Sequence, residues 1–286
     1  MEERNERGET LEEFLARYDE TQYRRPSNTV DMILLTVLKG KLKVLLVKRK
    51  DHPFIHDWAM PGGFVNFDED LDAAMKRELE EETNLFDSTY FRQLYTFGNA
   101  DRDPRTRVIT TVYLSMTPAE NIKMTSAGDD AMDTGWFTIQ KITTTSDGYE
   151  RKSVLMLDEE EKGIHLRYEI YDTACDNYVQ TRSKLLENSN AKLAADHIKA
   201  INMAIDVVRN RAASTGIMFN LLPKECTLRE IQEVYEAIVN HPVDTGNFRR
   251  DIKKMLVATG STTIVNGRKV ATYSFNPLLP FVKETL

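Results

Sequence analysis

Between residues 63 and 85 the chain reads GFVNFDEDLDAAMKRELEEETNL, and this stretch constrains the fold more than any other. Its residues from about Asp70 to Thr83 predict one helix. At about 100° per residue, Glu82 lies about 40° from Glu78, and Glu81 lies about 60° to its other side. Three carboxylates therefore share one edge near the C-terminal end of the helix. There the macrodipole disfavours negative charge, and like charges three and four residues apart repel. An acidic run by itself fits a solvated helix face. Here its position, the preceding Gly62-Gly63 pair and an Arg77 able to reach Glu81 favour a cation site instead, because a divalent ion reverses both penalties. With oxygen donors only and no His or Cys beside them, the expected ion is Mg²⁺ or Mn²⁺ rather than zinc. Such an ion suits phosphate chemistry.

The surrounding pattern is mixed α/β. Thr10-x-x-Glu13 is a capping box ahead of Leu11, Phe14, Leu15 and Tyr18, which predicts a short N-terminal helix. DMILLTVL and KLKVLLVKR flank Lys39-Gly40 as a hairpin, RVITTVYLSM is strand-like, and Trp136-Phe137 closes the unit. KSVLMLDEEEKGIHLRYEIYD reads as two strands, while Thr173 to Asn190 is polar and poorly periodic. A long helix is expected from Ala191 to Arg211, with Leu193, His197, Ile198, Ile201, Ile205 and Val208 on one face. The last part has its own grammar. Thr227-x-x-Glu230 caps a helix that His241-Pro242 stops; a second helix turns Phe248, Ile252 and Met255 inward; and Asn266-Gly267 marks a hairpin. Helix, turn, basic helix and hairpin spell a winged helix-turn-helix. The expected divisions are an N-terminal helix (1–25), an α/β domain (26–190) with an inserted hairpin near 150–172, a linker helix (191–213) and the winged domain (214–286).

Composition matters once these parts are separated. The 286 residues carry 38 Lys and Arg against 45 Asp and Glu, a net −7 that argues against a generally basic nucleic-acid binder. From His197 onward, however, there are 12 basic and 8 acidic residues, a balance of +4, which leaves −11 for the rest. No apolar run approaches the roughly 20 residues that span a bilayer, and the charged N-terminus has no signal-peptide core. Cys175 and Cys226 lack CxxC spacing, which fits a reducing cytoplasm better than structural zinc.

The 63–85 stretch resembles the Nudix box, G-x5-E-x7-R-E-U-x-E-E-x-G-U with U a bulky aliphatic. Gly63, Glu69, Arg77, Glu78, Leu79, Glu81, Glu82 and Leu85 match, and Asn84 stands where the family has Gly. Asn is the non-Gly residue that best tolerates the left-handed conformation of a helix C-cap. The resemblance implies a Nudix α/β/α sandwich and Mg²⁺-dependent hydrolysis of a nucleoside diphosphate linked to another group. It assigns Glu78, Glu81 and Glu82 as metal ligands, with Glu69 and Arg77 supporting them. The general base is a box Glu or an acid on a distant loop; Asp129 and Asp130 are candidates, and a solvated turn accounts for them equally well.

TFGNADRDPRTRVITTVYL is similar to a stretch of ADP-ribose-directed Nudix proteins. Arg102, Arg105 and Arg107 can fork onto phosphate or ribose oxygens, or pair with Asp101 and Asp103 within their own loop. Arg49, Gly62 and Gly63 complete the expected substrate contacts, and Trp58 is expected in the core. The order of Nudix domain and winged helix resembles the Nudix-related transcriptional regulators of NAD metabolism. That similarity rests on YRRPSNTVDMIL, LAADHIKAI, LLPKECTLREIQEVYEAIVN and GNFRRDI. It implies double-stranded operator DNA as a partner, met by Arg249, Arg250, Lys253, Lys254, Arg268 and Lys269, and a homodimer reading two half-sites. The expected function is an ADP-ribose-type pyrophosphohydrolase carrying a DNA-binding-like domain. The alternative is an ADP-ribose-responsive regulator with little or no hydrolysis.

Overall fold

The computed structural model describes residues 3–83, 85, 90–122, 131–176, 178–276 and 278. Asn84, Asp129 and Asp130 lie outside the described residues. The chain opens with α1 (Leu11–Arg17), whose Thr10–Glu13 capping box is formed in both directions. A hairpin follows, β1 (Ser27–Leu38) and β2 (Lys41–Arg49). Its Lys39-Gly40 corner has φ of 52° and 70°, the doubly positive turn that matches strand twist.

Two short strands, β3 (Trp58–Ala59) and β4 (Gly62–Phe64), pair with β2 and β1 and lead into α2 (Leu71–Thr83). Beyond it come β5 (Tyr90–Phe97), β6 (Val108–Met116), β7 (Ala131–Ser146), β8 (Glu150–Glu159), β9 (Ile164–Cys175) and β10 (Tyr178–Leu185). The main order across the sheet is β10-β9-β8-β7-β2-β1-β6-β5, with β1 and β6 parallel. Thr173 to Asn190, unreadable as regular structure from its polarity, thus supplies much of an edge strand. β10 is paired by backbone from Tyr178↔Cys175 to Leu185↔Tyr168. An edge strand wet on both faces has no reason to alternate, which removes the signal a sequence reader depends on.

Helices cover both faces of the sheet. On one side Ala74, Met75 and Leu79 of α2 pack against Val30, Met32, Leu34 and Leu45. On the other lies α3 (His197–Ala212), a 16-residue helix whose Ile198, Ile201, Ile205 and Val208 meet Phe137, Leu155, Leu166 and Ile170 in a second core. That core continues without a break into the C-terminal part, taking in Ile231, Val234, Ile238, Phe248, Ile252 and Met255. The architecture is the α/β/α sandwich the sequence implied, followed by a winged helix. α3 serves both as the outer helix of the sandwich and as the link between the two parts.

The C-terminal part contains α4 (Leu228–Val239), α5 (Thr245–Ile252) and the wing, β11 (Leu256–Val265) and β12 (Arg268–Phe275). α4 starts on a complete Thr227–Glu230 capping box and ends on Asn240 at φ 63°. The wing turns at Asn266-Gly267, again with both φ positive. Lys253 and Lys254 sit on a 3₁₀ turn after α5 rather than within it. Arg209 fastens the two parts together, donating from Nε to the Ile238 carbonyl at 2.9 Å and from Nη1 to the Lys141 carbonyl at 3.1 Å.

Candidate functional site

Along α2 the buried positions are Ala74, Met75, Glu78, Leu79 and Thr83. A carboxylate thus occupies a core-facing row, and the surrounding apolar spacing gives it away. The Glu78 carboxylate is 7% exposed and lies against the backbone of Gly63: a Cβ on that glycine would stand 2.2 Å from Oε1. Gly63 is therefore required by the side chain it accommodates. Its neighbour Gly62 answers to the backbone, with φ 150° and an imagined Cβ 2.2 Å from the Val30 carbonyl.

Arg77 organises the acids. It grips Glu69 with two parallel bonds, Nε to Oε1 and Nη2 to Oε2, both 2.9 Å. Nη1 reaches Glu78 at 2.7 Å and Glu81 at 3.2 Å, and Nη2 also donates to the Phe64 carbonyl at 3.1 Å. Glu69 in turn accepts from the Asn66 backbone and side-chain nitrogens, both at 3.1 Å. The guanidinium and these donors hold the Glu69 carboxyl down to about 2. Glu78 goes the other way. Burial pushes its carboxyl up, the Arg77 contact opposes that rise, and Glu81 and Glu69 add to it.

Among the described residues no three Asp, Glu, His or Cys side chains converge on a single point. Glu78 and Glu81 are instead spread around Arg77 Nη1. The residues nevertheless fit a hard divalent cation. The donors are carboxylate oxygens, one of them is buried with its charge disfavoured, and Gly63 leaves space where a side chain would intrude. Nη1 already places positive charge between two of the acids.

These groups line one wall of an open cleft of about 840 Å³ that also includes Asp31, Arg49 and Glu82. Arg49 donates from Nε to the Pro53 carbonyl at 2.8 Å. Arg105 clasps Asp103 through Nε at 3.1 Å and Nη2 at 2.8 Å, and its guanidinium carbon lies 5.5 Å from the Phe64 ring centre. Arg102 also borders the cleft but is engaged with Asp196, Nη2 to Oδ1 at 2.9 Å. Arg107 is exposed, precedes β6 and lies outside the cleft lining, which its neighbour Val108 joins. Trp58 is 1% exposed and stacks edge-on to Phe137, a core residue as expected.

Asp31, Asp196 and His197 border the cleft or touch its lining without having been singled out as site residues by local sequence signals. His197 begins α3, with its Nδ1 accepting the Met60 N–H at 2.9 Å, so the neutral ring carries its hydrogen on Nε2. Burial lowers its pKa, against the pull of Asp31 and Asp196. On the winged part, Arg249, Arg250, Lys253, Lys254, Arg268 and Lys269 are all exposed, while Phe248, Ile252 and Met255 are buried behind them. Arg250 lies 3.3 Å from Asp251 on the open surface, a contact worth little.

Residues 26–157 match the NUDIX domain family, and residues 218–275 match the NrtR DNA-binding winged helix domain. An ADP-ribose pyrophosphatase of Methanocaldococcus jannaschii is 34% identical over 129 residues, 45% of this chain and 72% of the relative. The chain belongs to the Nudix family. This Nudix protein is also 28% identical, over 92% of its length and 87% of the relative, to an ADPR responsive transcriptional repressor, NtrR, of Acinetobacter baylyi. Its fold is similar to a MutT/nudix family protein from Enterococcus faecalis, with a TM-score of 0.69, 29% identity and 95% of both chains covered. It is also similar to Shewanella oneidensis NrtR in complex with a 27mer DNA, at a TM-score of 0.58 and 26% identity, covering 87% of this chain and 93% of that one. No helix among the described residues is long and apolar enough to cross a membrane.

Proposed function

We propose that this Nudix protein binds ADP-ribose or a related nucleoside diphosphate derivative in the α2 cleft, hydrolyses its pyrophosphate with Mg²⁺ or Mn²⁺, and uses its winged part to bind double-stranded DNA. The observation that carries the hydrolytic half is the Arg77 cluster: all the box carboxylates are present, and Glu78 is buried against Gly63 where a solvated acidic face would have no cause to place it. Glu78, Glu81 and Glu82 would hold the cation. When bound, it polarises the pyrophosphate and offsets charge developing on its oxygens. The protein's own contribution is positional. Glu69 fixes Arg77, and Arg77 fixes Glu78 and Glu81, so that the acids need little reorganisation when the phosphates arrive. Arg49, Arg102 and Arg105 border the same space and supply the donors that phosphate oxygens accept.

The test is incubation with ADP-ribose and Mg²⁺, followed by detection of AMP and ribose 5-phosphate. Glu82→Gln is expected to lose most of the rate. Absence of turnover on a panel of nucleoside diphosphate compounds would leave the second reading, an ADP-ribose-responsive regulator without hydrolysis. That reading is favoured by the six exposed cations on α5, its following turn and the wing, and by likeness to the Acinetobacter repressor over most of both chains. Its test is retention of double-stranded DNA in a gel at rising salt. Arg249→Ala/Arg250→Ala is expected to weaken binding and flatten the salt dependence; binding equal to the parent's would count against it.

A further inference from the structure

The wall of the cleft opposite α2 comes from more than 90 residues further along the chain. Lys192 to Ala194 run beside β3, with Trp58 N–H donating to the Lys192 carbonyl at 3.0 Å and Ala194 N–H to the Trp58 carbonyl at 2.8 Å. Ala195 then turns with φ 43°, a left-handed conformation that an alanine adopts only under constraint. Asp196 follows as the N-cap of α3. An aspartate there normally turns its carboxylate onto the first free N–H groups of the helix. This one makes no such bond. Its two oxygens are taken by Arg102, Nη2 to Oδ1 at 2.9 Å and Nε to Oδ2 at 3.3 Å, with both side chains mostly buried at 6% and 13% exposure.

We propose that Asp196 is a positioning residue that holds Arg102 away from the ligand, and that the ligand's phosphates take the guanidinium from it. The inference rests on the reading of the cleft as a nucleoside diphosphate site. A diphosphate offers the same fork geometry as the carboxylate with more negative charge, so the exchange replaces one bidentate pair with another. Once released, Asp196 is free to rotate from its ψ of 17° into the extended conformation of a capping residue and to take the Ile198 N–H. The other ties of this turn to the sandwich include the Trp58 ladder, the Leu193 N–H to Tyr168 hydroxyl bond at 2.7 Å, the Lys192–Asp57 ion pair at 3.4 Å and the Met60 to His197 bond, and neither Lys192 nor Tyr168 lines the cleft. The exchange therefore alters the α3 N-terminus specifically. Farther along, the same rigid helix holds the winged part through Arg209 and the Ile238 carbonyl. Ligand occupancy is in this way sensed by the helix that carries the DNA-binding part.

The sign of the effect separates this role from a purely structural one. Full-length protein is titrated with ADP-ribose in EDTA, which withholds divalent cation and stops turnover. Asp196→Asn keeps the side-chain volume but removes the charge and one of the two acceptors that hold Arg102, and it is expected to tighten ADP-ribose binding by about tenfold, the order of one charged hydrogen bond that no longer has to be broken. On an Arg102→Gln background, which itself weakens binding, Asp196→Asn is expected to have no effect. In the wild type, ADP-ribose is expected to slow amide exchange at Ile198, whereas Lys199 N–H already donates to the Asp196 carbonyl at 2.9 Å; this measurement needs no variant to fold. Unchanged or weaker binding in Asp196→Asn overturns the proposal while leaving the cleft assignment intact, as does ligand binding that leaves exchange at Ile198 untouched. A wild type that binds no ADP-ribose overturns both.

Discussion

Gly63→Ala separates what the site needs from what the fold needs. The new Cβ would lie 2.2 Å from Glu78 Oε1, 2.6 Å from its Cδ and 2.8 Å from Oε2. To restore an ordinary contact of 3.4 Å the carboxylate has to retreat by about 1.2 Å. It is not free to do so cheaply, because it is 7% exposed and bonded to Arg77 Nη1 at 2.7 Å. Losing that charged hydrogen bond costs about 1.5–3 kcal/mol, a drop in Tm of roughly 3–12 °C for a domain of this size. A misplacement of about 1 Å in a reacting constellation costs on the order of 10²-fold in rate. The expected result is a folded protein with Mg²⁺-supported AMP release reduced about a hundredfold. On a Glu78→Ala background the same substitution has nothing left to displace and should cost nothing further. Gly62→Ala is the contrast: its Cβ meets the Val30 carbonyl at 2.2 Å and the Asp31 Cα at 2.7 Å, so the damage falls on the β1–β4 pairing. Retention of the parent rate within about threefold by Gly63→Ala, or an equal loss with and without Glu78, would refute the reasoning.

Other outcomes follow from the same structure. Glu69, held down to about 2 from an ordinary 4.5, contributes stability above pH 4.5 that is lost as pH falls from about 4.5 to about 2. Melting curves between pH 5 and pH 3 should therefore be steeper in pH for the parent than for Glu69→Gln; parallel curves would contradict the pairing with Arg77. Cys226 is 2% exposed and its thiol is pushed up to about 12 by burial. Brief iodoacetamide treatment of the native protein at pH 8 should modify Cys175 and spare Cys226, and mass spectrometry showing equal labelling would sink this. Arg209→Met keeps the apolar stem but removes both carbonyl contacts. It should loosen the hold of α3 on α4, read as faster amide exchange around Asn240 with the Arg77 cluster unaffected.

Local chemistry was legible wherever its cause is local. The capping boxes at Thr10 and Thr227, the turns at Lys39-Gly40 and Asn266-Gly267, and the inward row Phe248, Ile252 and Met255 depend on neighbours within a few residues, and each is formed as the sequence implies. So does the contact from Arg77 to Glu81, one helical turn apart. The polar strand β10 was not legible, because its pairing partner and not its own pattern makes it a strand. Arg102 and Arg105 could not be separated by inspection. Arg105 finds Asp103 two residues away, whereas Arg102 finds Asp196 across the fold.

By itself, the sequence determined the chemistry of the cleft: which carboxylates, on which helix, at what spacing, beside which glycines and arginine. It also determined that an acidic part is followed by a basic one of winged-helix form. Tertiary structure decided the rest. Only folding brings the α3 N-terminus against Met60 and Arg102, and only folding makes one helix both a wall of the cleft and the support of the winged part. The physical reason is range. Helix periodicity, capping and turn geometry act over a handful of residues, whereas the pairing of Asp196 with Arg102, 94 positions apart in the chain, follows from how α3 packs across the sheet.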